Sequence, residues 1–230
     1  MPHRVRVWDL PTRLFHWLLV ACVVAQVVTG YIGGGMMPWH ARLGYTVLTL
    51  LLFRIVWGFI GGRWSRFRSF LYGPSSVVAY LGGRPHPDHL VGHNPLGAGS
   101  VFAMLLVLLA QVGSGLFADD EIAFTGPLNR FVKTSTGLTA TWYHKAIGQW
   151  LLVALVLLHV AAIVFYVKKK RETLVRPMIV GDKVLAAPAT SSRDDAVSRV
   201  IALVVLAVCA ALAAWIASLD AGGGSSAGFN

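Results

Sequence analysis

The run WYHKAIGQWLLVALVLLHV, residues 142–160, is apolar yet carries a histidine near each end, His144 and His159. Two further histidines, His16 and His40, stand at the ends of other apolar runs. An imidazole in hydrocarbon is costly unless partnered, and neutral imidazole is a common metal ligand. The fifteen residues between His144 and His159 correspond, on a continuous helix, to about 22 Å of rise and roughly 60° beyond four whole turns. The two rings then project from similar faces at opposite leaflets. His40 shares the level of His144 and His16 that of His159, giving two transverse pairs, His16 with His159 and His40 with His144. Paired imidazoles facing each other across a helical bundle are what bis-histidine ligation of haem iron requires. One such histidine alone reads equally well as a ring hydrogen-bonded to a neighbouring carbonyl; four in two tiers favour ligation.

Other residues fit the same chemistry. WHARLG at 39–44 and YHKAIG at 143–148 share an aromatic residue, a histidine, a basic residue within two positions and a glycine four after the histidine. Gly44 and Gly148 lie one turn along from His40 and His144, where a missing side chain makes room for a flat macrocycle. Arg42 and Lys145 stand at the polar boundary, where they could pair with propionates; Arg13 and Arg54 are the corresponding candidates at the other level. Arg54 reads equally as a side chain snorkelling to the headgroups. Gly30, Gly113 and Gly115 either open space for the macrocycle or serve close helix packing. His3, His86, His89 and His93 are expected to be surface histidines, with H-x-x-H-x-x-x-H at 86–93 a weak metal motif.

Apolar helices must position these residues. The 230-residue chain is 56% hydrophobic and 13% charged, with a mean hydropathy of +0.64, too apolar for a soluble domain. Five blocks, 14–33, 41–61, 98–118, 142–167 and 198–218, are each long enough to span a bilayer. The first lacks an A-x-A-like exit and reads as a retained helix. Asp9 or Thr12 can cap its start, with Pro11 in the first turn. Fifteen of the twenty Lys and Arg fall in the N-terminal tail, the 62–97 loop and the 168–199 segment, which places the N terminus in the cytoplasm and the C terminus outside. The net charge of +10 is thus mainly a topology signal; with no recognisable module, nucleic-acid binding is not expected.

The expected architecture is all-α: a four-helix transmembrane bundle enclosing two haems within residues 1–171, a cytoplasmic linker at 172–197, an accessory transmembrane helix at 198–218 and a flexible tail at 219–230. YGPSSVVAYLGG in the 62–97 loop predicts a short interfacial helix. The roughly 24-residue outer loop is long enough to be packed or functional. Its Asp119, Asp120 and Glu121 could dock a basic partner, though a solvated loop is favoured. Cys22 and Cys209 lie in apolar blocks, and no C-x-x-C-H is present, so any haem is held non-covalently.

VWDLPTRLFHWLLV at 7–20, HARLGYTVLTLLLFRIVWGFIGGRWSRFRSF at 40–70, GHNPLG at 92–97 and YHKAIGQWLLVALVLLHV at 143–160 together resemble the bacterial cytochrome b561 group and the b-type cytochrome subunits of nickel–iron hydrogenases. The resemblance covers roughly the first 170 residues. It implies a four-helix core holding two haem b groups, with axial histidines at His16, His40, His144 and His159. Relatives space the two histidines of the last core helix about fourteen apart; the extra residue here calls for a local bulge or a shifted haem. The last helix lies outside that core.

The expected function is a di-haem membrane cytochrome of the bacterial inner membrane, an electron carrier of the respiratory chain rather than a substrate-transforming enzyme. By resemblance it links quinone to a periplasmic partner, a c-type cytochrome or a redox enzyme subunit. The alternatives are an electron-transfer anchor of a hydrogenase-like enzyme and a divalent-metal transporter or sensor. The last requires three or four ligands converging on one ion, which two separated pairs do not offer.

Overall fold

In the computed structural model, residues 2–122 and 124–219 are described. The elements are β1 (His3–Arg6), α1 (Leu10–Ile32), α2 (Met37–Ile60), α3 (Pro74–Leu81), α4 (Pro95–Phe117), α5 (Thr134–Trp142), α6 (Gln149–Lys168), α7 (Val175–Val180), β2 (Asp182–Leu185) and α8 (Ala196–Ser218). Between α5 and α6 the chain stays helical through a π-turn, Tyr143–Gly148. Five helical stretches, 10–32, 34–60, 95–117, 134–168 and 196–218, are long and apolar enough to cross a membrane. They coincide with the five expected blocks to within a few residues, except that the second and fourth begin earlier. Large side chains such as Leu106, Leu157, Leu158 and Leu203 are exposed, as surfaces facing lipid should be.

The chain forms two compact units. The first comprises the chain up to Trp17, 53–104 and 155–205. Its centre is the carboxylate of Asp9, fully buried. Asp9 Oδ1 accepts the Thr12 N–H at 2.8 Å, which caps α1 as expected. Oδ2 accepts the Gly62 N–H at 2.8 Å and the Ser65 hydroxyl at 3.0 Å, and Trp57 Nε1 donates to Oδ1 at 3.2 Å. A buried carboxylate survives because so many donors replace its water. It ties the start of α1 to the end of α2.

The segment 172–197, expected as a linker, is instead folded. β2 pairs antiparallel with β1 from His3↔Leu185 to Arg6↔Asp182. Asp182 binds Arg4 and Arg6 at 2.6 and 2.7 Å, and Asp194 binds Arg6 and Arg199, both at 3.1 Å. Gly181 at φ 93° turns α7 into β2 in a conformation that favours glycine. Val5, Val7, Trp8, Trp64 and Val91 form a small core beneath this ribbon, with Met178 and Leu185 against it. The N-terminal arginines therefore have carboxylate partners that composition alone did not reveal.

The second unit comprises 18–52, 105–154 and the chain from 206 onward. Its 118–133 loop is packed, as its length suggested. The Gly126 and Leu128 N–H groups donate to Ala118 O and Leu116 O at 2.7 and 2.9 Å, and Asn129 Nδ2 donates to Phe117 O at 2.9 Å. Carbonyls at the end of α4 thus gain partners. Asp119 and Asp120 turn inward to the loop backbone, accepting the N–H groups of Glu121, Ile122 and Phe124. The flexible tail expected at 219–230 lies outside the described residues from 220 onward.

Replacing Asp9 by Ala should destabilise the protein by about 3 kcal/mol or more, because several buried donors lose their acceptor and each unmade bond costs about 1–3 kcal/mol. Thermal unfolding in detergent should show a clear drop in Tm, smaller for Asp9→Asn.

Candidate haem-binding sites

In the second unit, His40 stands in the first turns of α2 and meets α1. Its Nδ1 lies 3.2 Å from the Gln26 carbonyl and 3.2 Å from Thr29 Oγ1, while Gln26 Nε2 donates to the His40 carbonyl at 3.1 Å. His144, in the π-turn, meets α4 in the same way. Its Nδ1 lies 2.9 Å from the Gln111 carbonyl and 3.2 Å from Ser114 Oγ, and Gln111 Nε2 donates to the His144 carbonyl at 3.1 Å. A carbonyl can only accept, so Nδ1 carries the proton in both rings and Nε2 is left as a bare lone pair. That is the tautomer a metal ligand needs, fixed by the bond on the other nitrogen.

The two rings face each other with centroids 6.0 Å apart and planes at 82°. An imidazole nitrogen binds a transition metal at roughly 2.0–2.1 Å, and the ring centre lies about 1.1 Å behind it, so two rings on opposite sides of one metal have centroids roughly 6 Å apart. The spacing fits an iron held between them. A cavity of about 210 Å³ surrounds the pair, lined by Gly30, Gly44, Gly115 and Lys145 among others. A Cβ at Gly30 would sit 3.2 Å from His40 Cε1, and one at Gly115 3.1 Å from His144 Cε1; these two glycines let the rings approach their supporting helices. Gly113 has open space around it.

Gly44 and Gly148 were expected to clear room for the macrocycle. Gly44 lines the cavity, where a Cβ would lie 3.2 Å from Gln26 Nε2, and a Cβ at Gly148 would overlap Gln111 Oε1. Lys145 lines the cavity, whereas Arg42 is exposed and lies over the Trp39 ring at 5.0 Å. The π-turn of six residues around His144 supplies the bulge that the fifteen-residue spacing called for.

The first unit holds the other pair. His16 and His159 both lie in this unit and are half-buried. His16 Nδ1 is buried without a hydrogen-bond partner. Arg54 does not snorkel: it is 4% exposed, its guanidinium lies 4.7 Å over the Phe67 ring, and its Nη1 is buried and unpartnered. Arg13 donates from Nη1 to Ile179 O at 2.5 Å, with Nε buried and unpartnered. Buried cationic nitrogens lacking acceptors beside paired imidazoles suit a cofactor that brings its own carboxylates.

Two of the four expected surface histidines prove otherwise. His93 is wedged between Trp8 and Phe70, with ring centroids at 4.8 and 4.5 Å, and its Nδ1 is buried and unpartnered. Burial first, then the charges of Arg54, His159 and His16, push its pKa down to about 3; the ring is neutral near pH 7. His89 is buried against Tyr72 and Tyr80. His3 and His86 are exposed. His93 was read as a surface histidine because its loop is polar. No group of three or more His, Cys, Asp or Glu able to hold a metal ion occurs among the described residues.

Gln26, Thr29, Gln111 and Ser114 escaped the sequence reading, although a signal existed. AQVVTG at 25–30 and AQVGSG at 110–115 repeat one motif, each placed to meet one histidine of the repeated His-x-x-x-Gly.

The family model described as prokaryotic cytochrome b561 matches residues 7–181. Among curated proteins, the chain is 29% identical to the "Probable Ni/Fe-hydrogenase 1 B-type cytochrome subunit" of Escherichia coli K12, over 67% of this chain and 80% of that protein. It is 27% identical to the "Probable Ni/Fe-hydrogenase B-type cytochrome subunit" of Azotobacter vinelandii, over 77% and 87%, and 26% identical to that of Cupriavidus necator H16, over 76% and 85%. No solved structure matches the chain.

Gly115→Leu should press the His144 ring out of line, because even a Cβ there already touches it at 3.1 Å. Pyridine haemochrome assay of the purified variant should show about half the wild-type haem, since the change leaves the first unit untouched.

Proposed function

Because the chain belongs to the prokaryotic cytochrome b561 family, we propose that it carries electrons through two haem b groups, one held by His40 and His144 and the other by His16 and His159. That it is a b-type cytochrome and a membrane electron-transfer protein follows from the family and its relatives. The observation that carries the two-site reading is the pair of imidazoles 6.0 Å apart, each with Nδ1 committed to a carbonyl and Nε2 free. Bound haem supplies a one-electron couple. His40 with His144, and His16 with His159, would hold the haems, and the protein's work would be to hold, orient and tune them. Gln26 and Gln111 fix the ring positions through the backbone, Thr29 and Ser114 accept from Nδ1, and Arg54 and Arg13 offer positive charge to propionates in the first unit.

The positive-inside distribution supports an inner-membrane protein with its N terminus in the cytoplasm and His40 and His144 toward the periplasm. The chain exchanges electrons with quinone at one end and with a periplasmic redox partner at the other. The names of the relatives favour a hydrogenase-like catalytic subunit as that partner, with a soluble c-type cytochrome as the second reading. A divalent-metal transporter lacks the convergent ligands it needs among the described residues.

Purified protein should contain about two haems per chain, with a b-type α band on dithionite reduction. His159→Ala should abolish the haem of the first unit and spare that of the second. Loss of neither haem, or colourless protein loaded with a divalent metal, contradicts the reading. Arg54→Gln should lower the midpoint potential of the first-unit haem by tens of millivolts, since 59 mV per tenfold applies to one electron and removing a buried cation favours the ferric state. A redox titration of that variant measures it.

A further inference from the structure

Immediately after α2, two short 3₁₀ turns, Arg63–Ser65 and Phe67–Ser69, bring Arg63, Arg66 and Arg68 around one cavity of about 510 Å³. The same cavity is lined by His86, His89 and Asp88. None of the three arginines forms an ion pair among the described residues. Asp88, the acidic residue of the lining, lies 3.9 Å from His86 Nδ1. Arg66 Nε is buried with no hydrogen-bond partner. Burial, then the charges of Arg68 and Arg63, hold the Arg66 guanidinium below its ordinary pKa. The histidines add donors. His89 Nδ1 accepts the His86 N–H at 3.1 Å and His86 Nδ1 accepts the Asp88 N–H at 3.2 Å; with Nδ1 accepting, each neutral ring carries its proton on Nε2. Guanidinium forks with imidazole N–H groups match the oxygens of a phosphate.

The flank of the cavity identifies the source of that phosphate. Between the arginine turns and the histidines runs α3, reached through Leu71, and Leu71, Val78 and Leu81 are 72%, 66% and 65% exposed. Val78 and Leu81 are three residues apart on one helix and share a face. An exposed apolar face beside an unpaired basic pocket, directly after a membrane-spanning helix, suits a molecule with an anionic head and hydrocarbon tails. We propose that this pocket binds the headgroup phosphate of an anionic phospholipid, with the acyl chains along Leu71, Val78 and Leu81. The site is independent of the haem ligands and stands whether or not the electron-transfer reading does.

The test uses the full haem-loaded chain in detergent, with Trp64 of the cavity lining as a fluorescent reporter alongside native mass spectrometry. Short-chain phosphatidylglycerol, phosphatidylcholine with the same acyl chains, and inorganic phosphate are titrated separately. Phosphatidylglycerol should bind saturably and more weakly as salt rises. The triple variant Arg63→Gln, Arg66→Gln, Arg68→Gln should weaken it at least about tenfold, since basic residues near an anionic lipid each contribute on the order of several-fold. Arg84→Gln, a basic change outside the lining, should leave binding unaltered, and unchanged haem spectra report that each variant is folded. Equal binding of phosphatidylcholine, or of phosphatidylglycerol to the triple variant, overturns the proposal. Inorganic phosphate binding as tightly as the lipid overturns the lipid as its source. Should the triple variant fail to fold, Arg66→Gln alone carries the same comparison.

Discussion

Hydrocarbon offers no water to either nitrogen of an imidazole, and the second unit is built around that constraint. Each ring gives its Nδ1 proton to the backbone of a facing helix, with a hydroxyl alongside, and the two ring centroids lie 6.0 Å apart. The glutamine that supplies the carbonyl also reaches across with its side chain to the histidine's own carbonyl. Two helices are thereby locked in register at the level of the histidine. Glycine is needed twice over in this clamp, under the ring at 30 and 115 and under the glutamine at 44 and 148. The unit is a doubled device, one copy made by α1 with α2 and the other by α4 with the helix containing His144.

The first unit meets the same constraint with charge. Asp9 is buried under four donors and binds the start of α1 to the end of α2. Arg54 is buried without an acceptor for one of its nitrogens and stacks on Phe67. A cation left so is expensive, a cost that the carboxylates of the haem proposed at His16 and His159 would offset. The ribbon of β1 and β2, with Asp182 and Asp194 holding Arg4, Arg6 and Arg199, encloses the small core around Trp8 and Trp64.

The five helices were legible because they are written locally, as apolar runs of bilayer length, and the four histidines stood out as ionisable residues inside those runs. Set against the spacing in relatives, the fifteen-residue interval between His144 and His159 called for a local bulge or a shifted haem, and the chain has a π-turn there. What was not legible depends on pairing across the chain. Nothing near Arg4 or Arg6 marks Asp182 and Asp194, about 180 residues away, as partners, so 172–197 read as a linker. His93 read as a surface residue because its loop is polar, whereas its burial comes from Trp8 and Phe70 on distant segments. Gly44 and Gly148 were singled out as room for a macrocycle; what a Cβ at either would meet first is a glutamine side chain. The repeated AQVVTG and AQVGSG lay in plain view; their meaning required knowing which helices face each other.

Electron paramagnetic resonance of the oxidised, purified protein tests the central claim most directly, because it reports both the axial ligands and the angle between them. Rings crossed at 82° on one ferric iron should give a highly anisotropic low-spin signal, accompanied by a second low-spin haem in equal amount. A high-spin signal from haem in intact protein, or a single haem per chain, would contradict opposed imidazoles at two sites.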